Sequence, residues 1–130
     1  MSRLLTLQNQ LKIRARVDLL TNHQRRIYND ILARWRYPET VNLCGPAGAG
    51  KTFTAWALAR ERDALFFAAP ERLAAGQAPA PGVPVIVDNV DVDPYPLRRL
   101  LAALQLRNIH MALLISRHAN PGLLPVVTLP

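Results

Sequence analysis

Residues 45–52 read Gly45-Pro46-Ala47-Gly48-Ala49-Gly50-Lys51-Thr52, a complete G-x-x-x-x-G-K-[ST] run. These residue types suit the holding of a phosphate chain. Glycines at 45, 48 and 50 allow torsions closed to other residues and let the backbone come close to an anion. The whole stretch, Pro46, Ala47 and Ala49 included, can then form a cradle whose N–H groups converge on α- and β-phosphates. A helix starting where the loop ends adds the positive end of its dipole. Lys51 can reach the β- and γ-phosphates, and the Thr52 hydroxyl can ligate Mg²⁺.

A second piece of chemistry lies at Val85-Ile86-Val87-Asp88, an apolar run closed by a carboxylate. This is the Walker B pattern: a buried strand would hold Asp88 so that it orients a water in the Mg²⁺ shell beside Thr52. The plainer alternative is an Asp capping a strand–turn junction. Asn89 follows, at the place where many ATPases carry a glutamate. An amide can orient a water but cannot take its proton. Slow hydrolysis, or nucleotide binding without turnover, is therefore expected, unless Asp91 or a group from another subunit serves as base. Asp91 and Asp93 equally suit turn and cap positions before a helix. The third piece is Leu113-Leu114-Ile115-Ser116-Arg117, an apolar run that delivers a serine and then an arginine. Arg117 can sense or neutralise a γ-phosphate as a permanently charged bidentate donor, or it is a solvent-facing loop residue. His23, His110 and His118 have no acidic or histidine partner at metal-ligand spacing.

These groups work only if strands and helices aim them at one point. Thr40 to Cys44 alternates as a strand, and Lys51 to Arg62 carries Phe53, Trp56, Ala57 and Ala59 at helical spacing. A strand before and a helix after is the context this loop requires. Upstream, Asn22 to Trp35 reads as a helix with Thr21 or Asn22 as N-cap and Ile27, Ile31 and Leu32 on one face; Pro38 closes it. Downstream come a short strand at Ala64 to Ala68, a helical turn or two at Pro70 to Ala75, and a proline-rich loop at Gly76 to Pro84. A strand at Val85 to Val87 follows. Next is a helix at Leu97 to Leu106, striped by Leu97, Leu100, Leu101 and Leu104, and then strands at Ile109 to Ile115 and Val126 to Leu129. Strands alternating with helices predict a parallel sheet with right-handed crossovers, expected here as a five-stranded three-layer α/β/α sandwich. The expected order is 5-1-4-3-2, with the strand ending in Ser116-Arg117 beside the phosphate loop. Ligands then bind beyond the carboxyl ends of the strands.

The chain has 130 residues, half of them hydrophobic, enough for one domain with a substantial core. Residues 22–130 form the expected core domain and 1–21 a basic leading segment. The net charge of +7 is almost all arginine, since Lys12 and Lys51 are the only lysines. Arg3, Arg14, Arg16, Arg25, Arg26, Arg34 and Arg36 crowd the first third. That region could attract nucleic acid or an acidic protein face, or it reflects an Arg- and Ala-rich composition displayed as a solvated surface. No apolar run approaches the length of a membrane span. Without a continuous apolar stretch, the beginning does not read as a secretory signal. Cys44, the single cysteine, ends a predicted core strand as a buried thiol, consistent with a reducing cytoplasm.

Taken together, GPAGAGKT, VIVDNVD and LLISR in this order and spacing resemble the P-loop ATPases of the AAA+ and STAND (nucleotide-switch) groups. The form of Val85 to Asp91 and of Leu113 to Arg117 is similar to STAND proteins in particular. The resemblance covers roughly residues 22–130. It implies a P-loop NTPase fold, with Lys51 and Thr52 as the Walker A pair, Asp88 as the Walker B carboxylate and Ser116/Arg117 at the sensor-1 position. It also places Gln24 and its neighbours near the adenine. Asn89 departs from the pattern. So does the lack, after the fifth strand, of the helical lid or winged-helix domain these groups carry; a partner chain or neighbouring subunit is expected to cover the adenine.

Three functions fit. The first is an ATP- and Mg²⁺-dependent switch or assembly ATPase that forms a homo-oligomer or joins a larger complex. The second is a DNA-associated ATPase, a loader, remodelling factor or transposition regulator, using the basic N-terminal region. The third is an ATP-binding subunit that does not hydrolyse. The guanine-reading N-K-x-D pattern is absent, which favours ATP over GTP.

Overall fold

The computed structural model describes residues 19–75, 79–80 and 82–130. Most of the basic segment 1–21 and part of the loop at 76–84 therefore lie outside the described residues. The elements in chain order are α1 (Asn22–Arg34), β1 (Thr40–Cys44), α2 (Lys51–Arg62), β2 (Leu65–Phe67), α3 (Pro70–Ala75), β3 (Val85–Val87), α4 (Pro94–Leu106), β4 (Ala112–Ser116) and β5 (Val126–Thr128). The strands form one sheet in the order β2-β3-β4-β1-β5, with every neighbouring pair parallel. This is the expected order read from its other edge.

Alternation along the strands divides the core into two. On one face Val41, Leu43, Ile86, Leu113, Ile115 and Val127 meet Tyr28, Ile31 and Trp35 from α1 and its end, and Ala55, Leu58 and Ala59 from α2. On the other face Val85, Val87, Ala112 and Leu114 meet Leu73 of α3 and Leu97, Leu100 and Leu104 of α4. Strands covered on both faces need unbroken apolar runs, which explains VIV and ALLI. The result is the three-layer α/β/α sandwich.

Several details differ from expectation. On α2 the buried side is Thr54, Ala55, Ala57, Leu58 and Ala59, while Phe53 is partly buried and Trp56 lies edge-to-face on Phe66, ring centroids 5.9 Å apart. Small residues let this helix sit close on the sheet, and the bulky rings fill its margins. Helix α4 begins at Pro94 instead of Leu97. Proline suits a first helical turn, where its missing N–H has no partner to lose. Strand β4 starts at Ala112 because Asn108 takes a left-handed turn with φ 58°, although Ile109 is still buried. Tyr28 joins the core of α1 unforeseen. Burial, with Glu61 adding to it, raises its phenol above the usual value. Among the described residues no helix is long and apolar enough to cross a membrane.

Candidate functional site

The phosphate loop leaves the carboxyl end of β1 and feeds into α2. Its shape comes from backbone constraints. Gly48 and Gly50 have φ of 82° and 85°, torsions that an L side chain resists. Gly45 packs so closely against the end of the chain that a Cβ there would overlap the Leu129 carbonyl oxygen. The Ala49 N–H donates to the Pro46 carbonyl at 3.3 Å, and the Thr54 N–H to the Gly50 carbonyl at 3.0 Å. The Lys51 ammonium lies back over its own loop, donating to the Gly45 carbonyl and, at 3.0 Å, to that of Pro46.

Gln24 joins the loop to α1. Its Oε1 accepts from the Thr21 N–H at 3.0 Å, while the Thr21 hydroxyl accepts from the Gln24 N–H at 3.2 Å. This is a reciprocal capping box. The same amide then donates through Nε2 to the Ala49 carbonyl at 3.1 Å.

Facing the loop are the segments after β3 and β4. Asp88 directly follows β3 and accepts on Oδ2 from the Thr52 hydroxyl at 2.8 Å, and on Oδ1 from the Asn89 N–H at 2.8 Å. The expected metal-binding pair is thus already in contact. A hydroxyl and a carboxylate, both hard oxygen donors, beside a free loop cradle fit a Mg²⁺–phosphate group. Thr52 and Asp88 would hold the metal, and Lys51 with the loop N–H groups the phosphates.

Asn89 sits differently. Its φ is 55°, a left-handed torsion that Asn adopts more readily than other side-chain-bearing residues, and its Nδ2 donates to the Ala68 carbonyl at 2.9 Å. Its amide thus ties the turn after β3 to the residue that follows β2. Asp91 accepts from the Asp93 N–H at 3.0 Å, and Asp93 is the N-cap of α4 without a side-chain cap bond. The Asp91 carboxylate therefore shapes the entry to α4, and both residues line the cleft.

Ser116 is buried at the end of β4. Its hydroxyl accepts from Asn42 Nδ2 at 2.9 Å and donates to the His118 carbonyl. Arg117, between these anchored neighbours, is exposed and lines the cleft. That cleft, of about 970 Å³, runs from Ala47–Phe53 past Asp88–Pro94 to Ile115–Asn120. It collects Lys51, Thr52, Asp88, Asn89, Ser116 and Arg117, and also His118, for which no role was foreseen.

Two supporting residues escaped the sequence reading. Asn120 Nδ2 donates to the Val92 carbonyl at 2.9 Å, clasping the two upper segments together. Asn42, fully buried in the middle of β1, donates from Nδ2 to both the Leu114 carbonyl and Ser116 Oγ. A polar residue inside the strand T-V-N-L-C was the available signal. Cys44 is a buried free thiol, with Sγ 3.4 Å from the Thr128 hydroxyl. Among the described residues no cluster of His, Cys, Asp or Glu could hold a metal by itself.

No protein-family model matches the chain. No curated protein sequence matches it either. Solved structures do. The chain is similar to the Thermotoga maritima RuvB Holliday junction branch migration motor, with a TM-score of 0.53 and 19% identity over 83% of this chain and 44% of that one. The R170A form of Thermotoga maritima RuvB gives a TM-score of 0.52 and 20% identity over the same shares. The chain thus spans less than half the length of these structures. At such identity the likeness speaks of fold: this chain folds as a P-loop NTPase α/β core.

Proposed function

We propose that this chain is an AAA+/STAND-type ATPase core that binds ATP with Mg²⁺ and acts as a nucleotide-dependent switch or assembly ATPase. The observation that carries the reading is the hydrogen bond from Thr52 to Asp88, which joins two residues 36 positions apart beside the phosphate loop. Lys51 and the loop N–H groups bind the phosphates, and Thr52 and Asp88 hold Mg²⁺. Bound there, the metal supplies neutralising charge to the phosphate oxygens. Arg117 adds a fixed positive charge at the γ-phosphate end of the cleft. Asn89, whose amide is engaged with Ala68, cannot take a proton from water, so hydrolysis is slow unless Asp91 or a group from another subunit serves as base, and the bound state is the functional one. A cover for the adenine comes from a partner chain or a second copy in an oligomer.

The test is titration of a fluorescent ATP analogue with Mg²⁺ into wild type and Lys51→Ala. Loss of the charge-assisted phosphate contacts is expected to weaken binding roughly ten- to a hundredfold. Equal affinity in the two proteins would overturn the reading.

A DNA-associated role is favoured by the net charge of +7 and by the likeness of the fold to a Holliday junction branch migration motor. Arg25, Arg26 and Arg36 are exposed on and after α1. In this reading DNA binding falls steeply with salt. Charge reversal at Arg25 and Arg26, with Arg14 and Arg16, removes it; unchanged binding would sink the reading.

A further inference from the structure

We infer that Asn42 is a positioning residue for Arg117: from the centre of β1 it sets the loop that brings this arginine to the γ-phosphate. The inference rests on the nucleotide reading above and deepens it. Three observations carry it. Asn42 is fully buried, and both hydrogens of its amide are used on β4, on the Leu114 carbonyl and on Ser116 Oγ, each at 2.9 Å. Ser116, itself buried, passes its own proton to the His118 carbonyl. The chain Asn42 to Ser116 to His118 therefore clamps the residues on both sides of Arg117.

Such a chain has a direction. A hydroxyl that accepts a hydrogen bond becomes a better donor, so the Asn42 contact strengthens the grip on His118. With its proton spent on His118, Ser116 acts on the nucleotide through the turn it holds rather than by touching phosphate. The cost is visible on the other side of the amide. Asn42 Oδ1 is buried and has no hydrogen-bond partner among the described residues. An orphaned buried acceptor is unfavourable, because it has given up its water without gaining a donor. An apolar residue would avoid that penalty, so stability alone does not account for Asn at this site. Asn42 also lies on the strand that leads straight into the phosphate loop. One side chain thus links the piece that holds the β-phosphate to the piece that reads the γ-phosphate.

The readout is the ratio of ATP to ADP affinity with Mg²⁺, measured for wild type, Lys51→Ala, Arg117→Ala, Asn42→Leu and the double variant Asn42→Leu/Arg117→Ala. Asn42→Leu fills the same space and removes the orphaned oxygen. It is expected to leave ADP affinity unchanged and to lower the ATP/ADP ratio roughly three- to tenfold, the scale of one hydrogen-bonded contact. Arg117→Ala is expected to lower the ratio at least as much, and the double variant no further than Arg117→Ala alone. Ser116→Ala cuts the same chain in its middle, so it carries the test if Asn42→Leu does not fold. A ratio unchanged in Asn42→Leu, or equal weakening of ATP and ADP, overturns the inference while nucleotide binding that depends on Lys51 still stands. Wild type that binds neither nucleotide overturns both.

Discussion

The phosphate loop and the two segments opposite it form one cleft, but they are held in place by different forces. The loop is shaped from within. Left-handed glycines, a lysine folded onto its own carbonyls and a Gly45 pressed against the Leu129 backbone define it. The facing segments are shaped by side-chain amides that bond to groups far away along the sequence. Asn42 holds Ser116 from 74 positions away, Asn89 holds the end of β2 from 21, and Asn120 holds Val92 from 28. Close packing at Gly45 and the hydrogen bonds of Lys51 restrain a loop whose glycines would otherwise be free to turn. A turn built on a few hydrogen bonds can exchange one partner for another at modest cost. In the proposed reading the first half holds the constant part of a nucleotide, and the second responds to the γ-phosphate that comes and goes.

The sharpest way to break this division is at the bond that bridges it, Thr52 to Asp88. Asp88→Asn is expected to lower ATP affinity in Mg²⁺ by roughly ten- to a hundredfold and to leave affinity in EDTA nearly unchanged, because only the metal contact needs the carboxylate. An equal loss in both buffers would mean that Asp88 merely props up the loop.

Next come the glycines, where the loop's torsional origin predicts a graded series in urea unfolding. Gly45→Ala sets a Cβ against a backbone carbonyl that cannot turn away, at a cost of about 2–3 kcal/mol. Gly50→Ala combines a left-handed torsion with the movable end of Gln24, about 1–2 kcal/mol. Gly48→Ala meets open space and bears the torsion alone, about 1 kcal/mol. Three equal losses would refute the assignment of distinct constraints.

The smallest effects belong to the facing segments. Asn89→Gly retains the left-handed torsion but loses the bond to Ala68, so thermal melting is expected to register about 0.5–1 kcal/mol. Asn89→Glu adds torsional strain of about 1 kcal/mol. Because the turn holds position 89 by this torsion, the glutamate is expected to leave any ATP turnover unchanged. A rise in turnover would show that Asn89 occupies a catalytic position after all.

Much of this architecture was legible in the chain. The strand–loop–helix around residues 40–62 and the β3 carboxylate follow from apolar periodicity and a motif whose residues are contiguous. Such signals survive in a linear text because the atoms they concern are neighbours along the backbone. The stripe on α2 was less legible. Phe53 and Trp56 are the bulky residues there, but packing density against the sheet selected the small face with Ala55, Leu58 and Ala59. The start of α4 was missed because Pro94 reads as a break until its place in a first turn is known.

By itself the sequence determined the phosphate loop and the alternation of strands and helices, since both depend on torsional preference and burial over a few residues. Only the tertiary structure decided what the polar residues of the cleft do. Whether Asn89 faces a water or a carbonyl, and whether Ser116 touches phosphate or holds a turn, depends on partners that become neighbours only when β1, β3 and β4 lie side by side. Hydrogen bonds act over about 3 Å, and only the packed sheet brings Asn42 within that reach of Ser116.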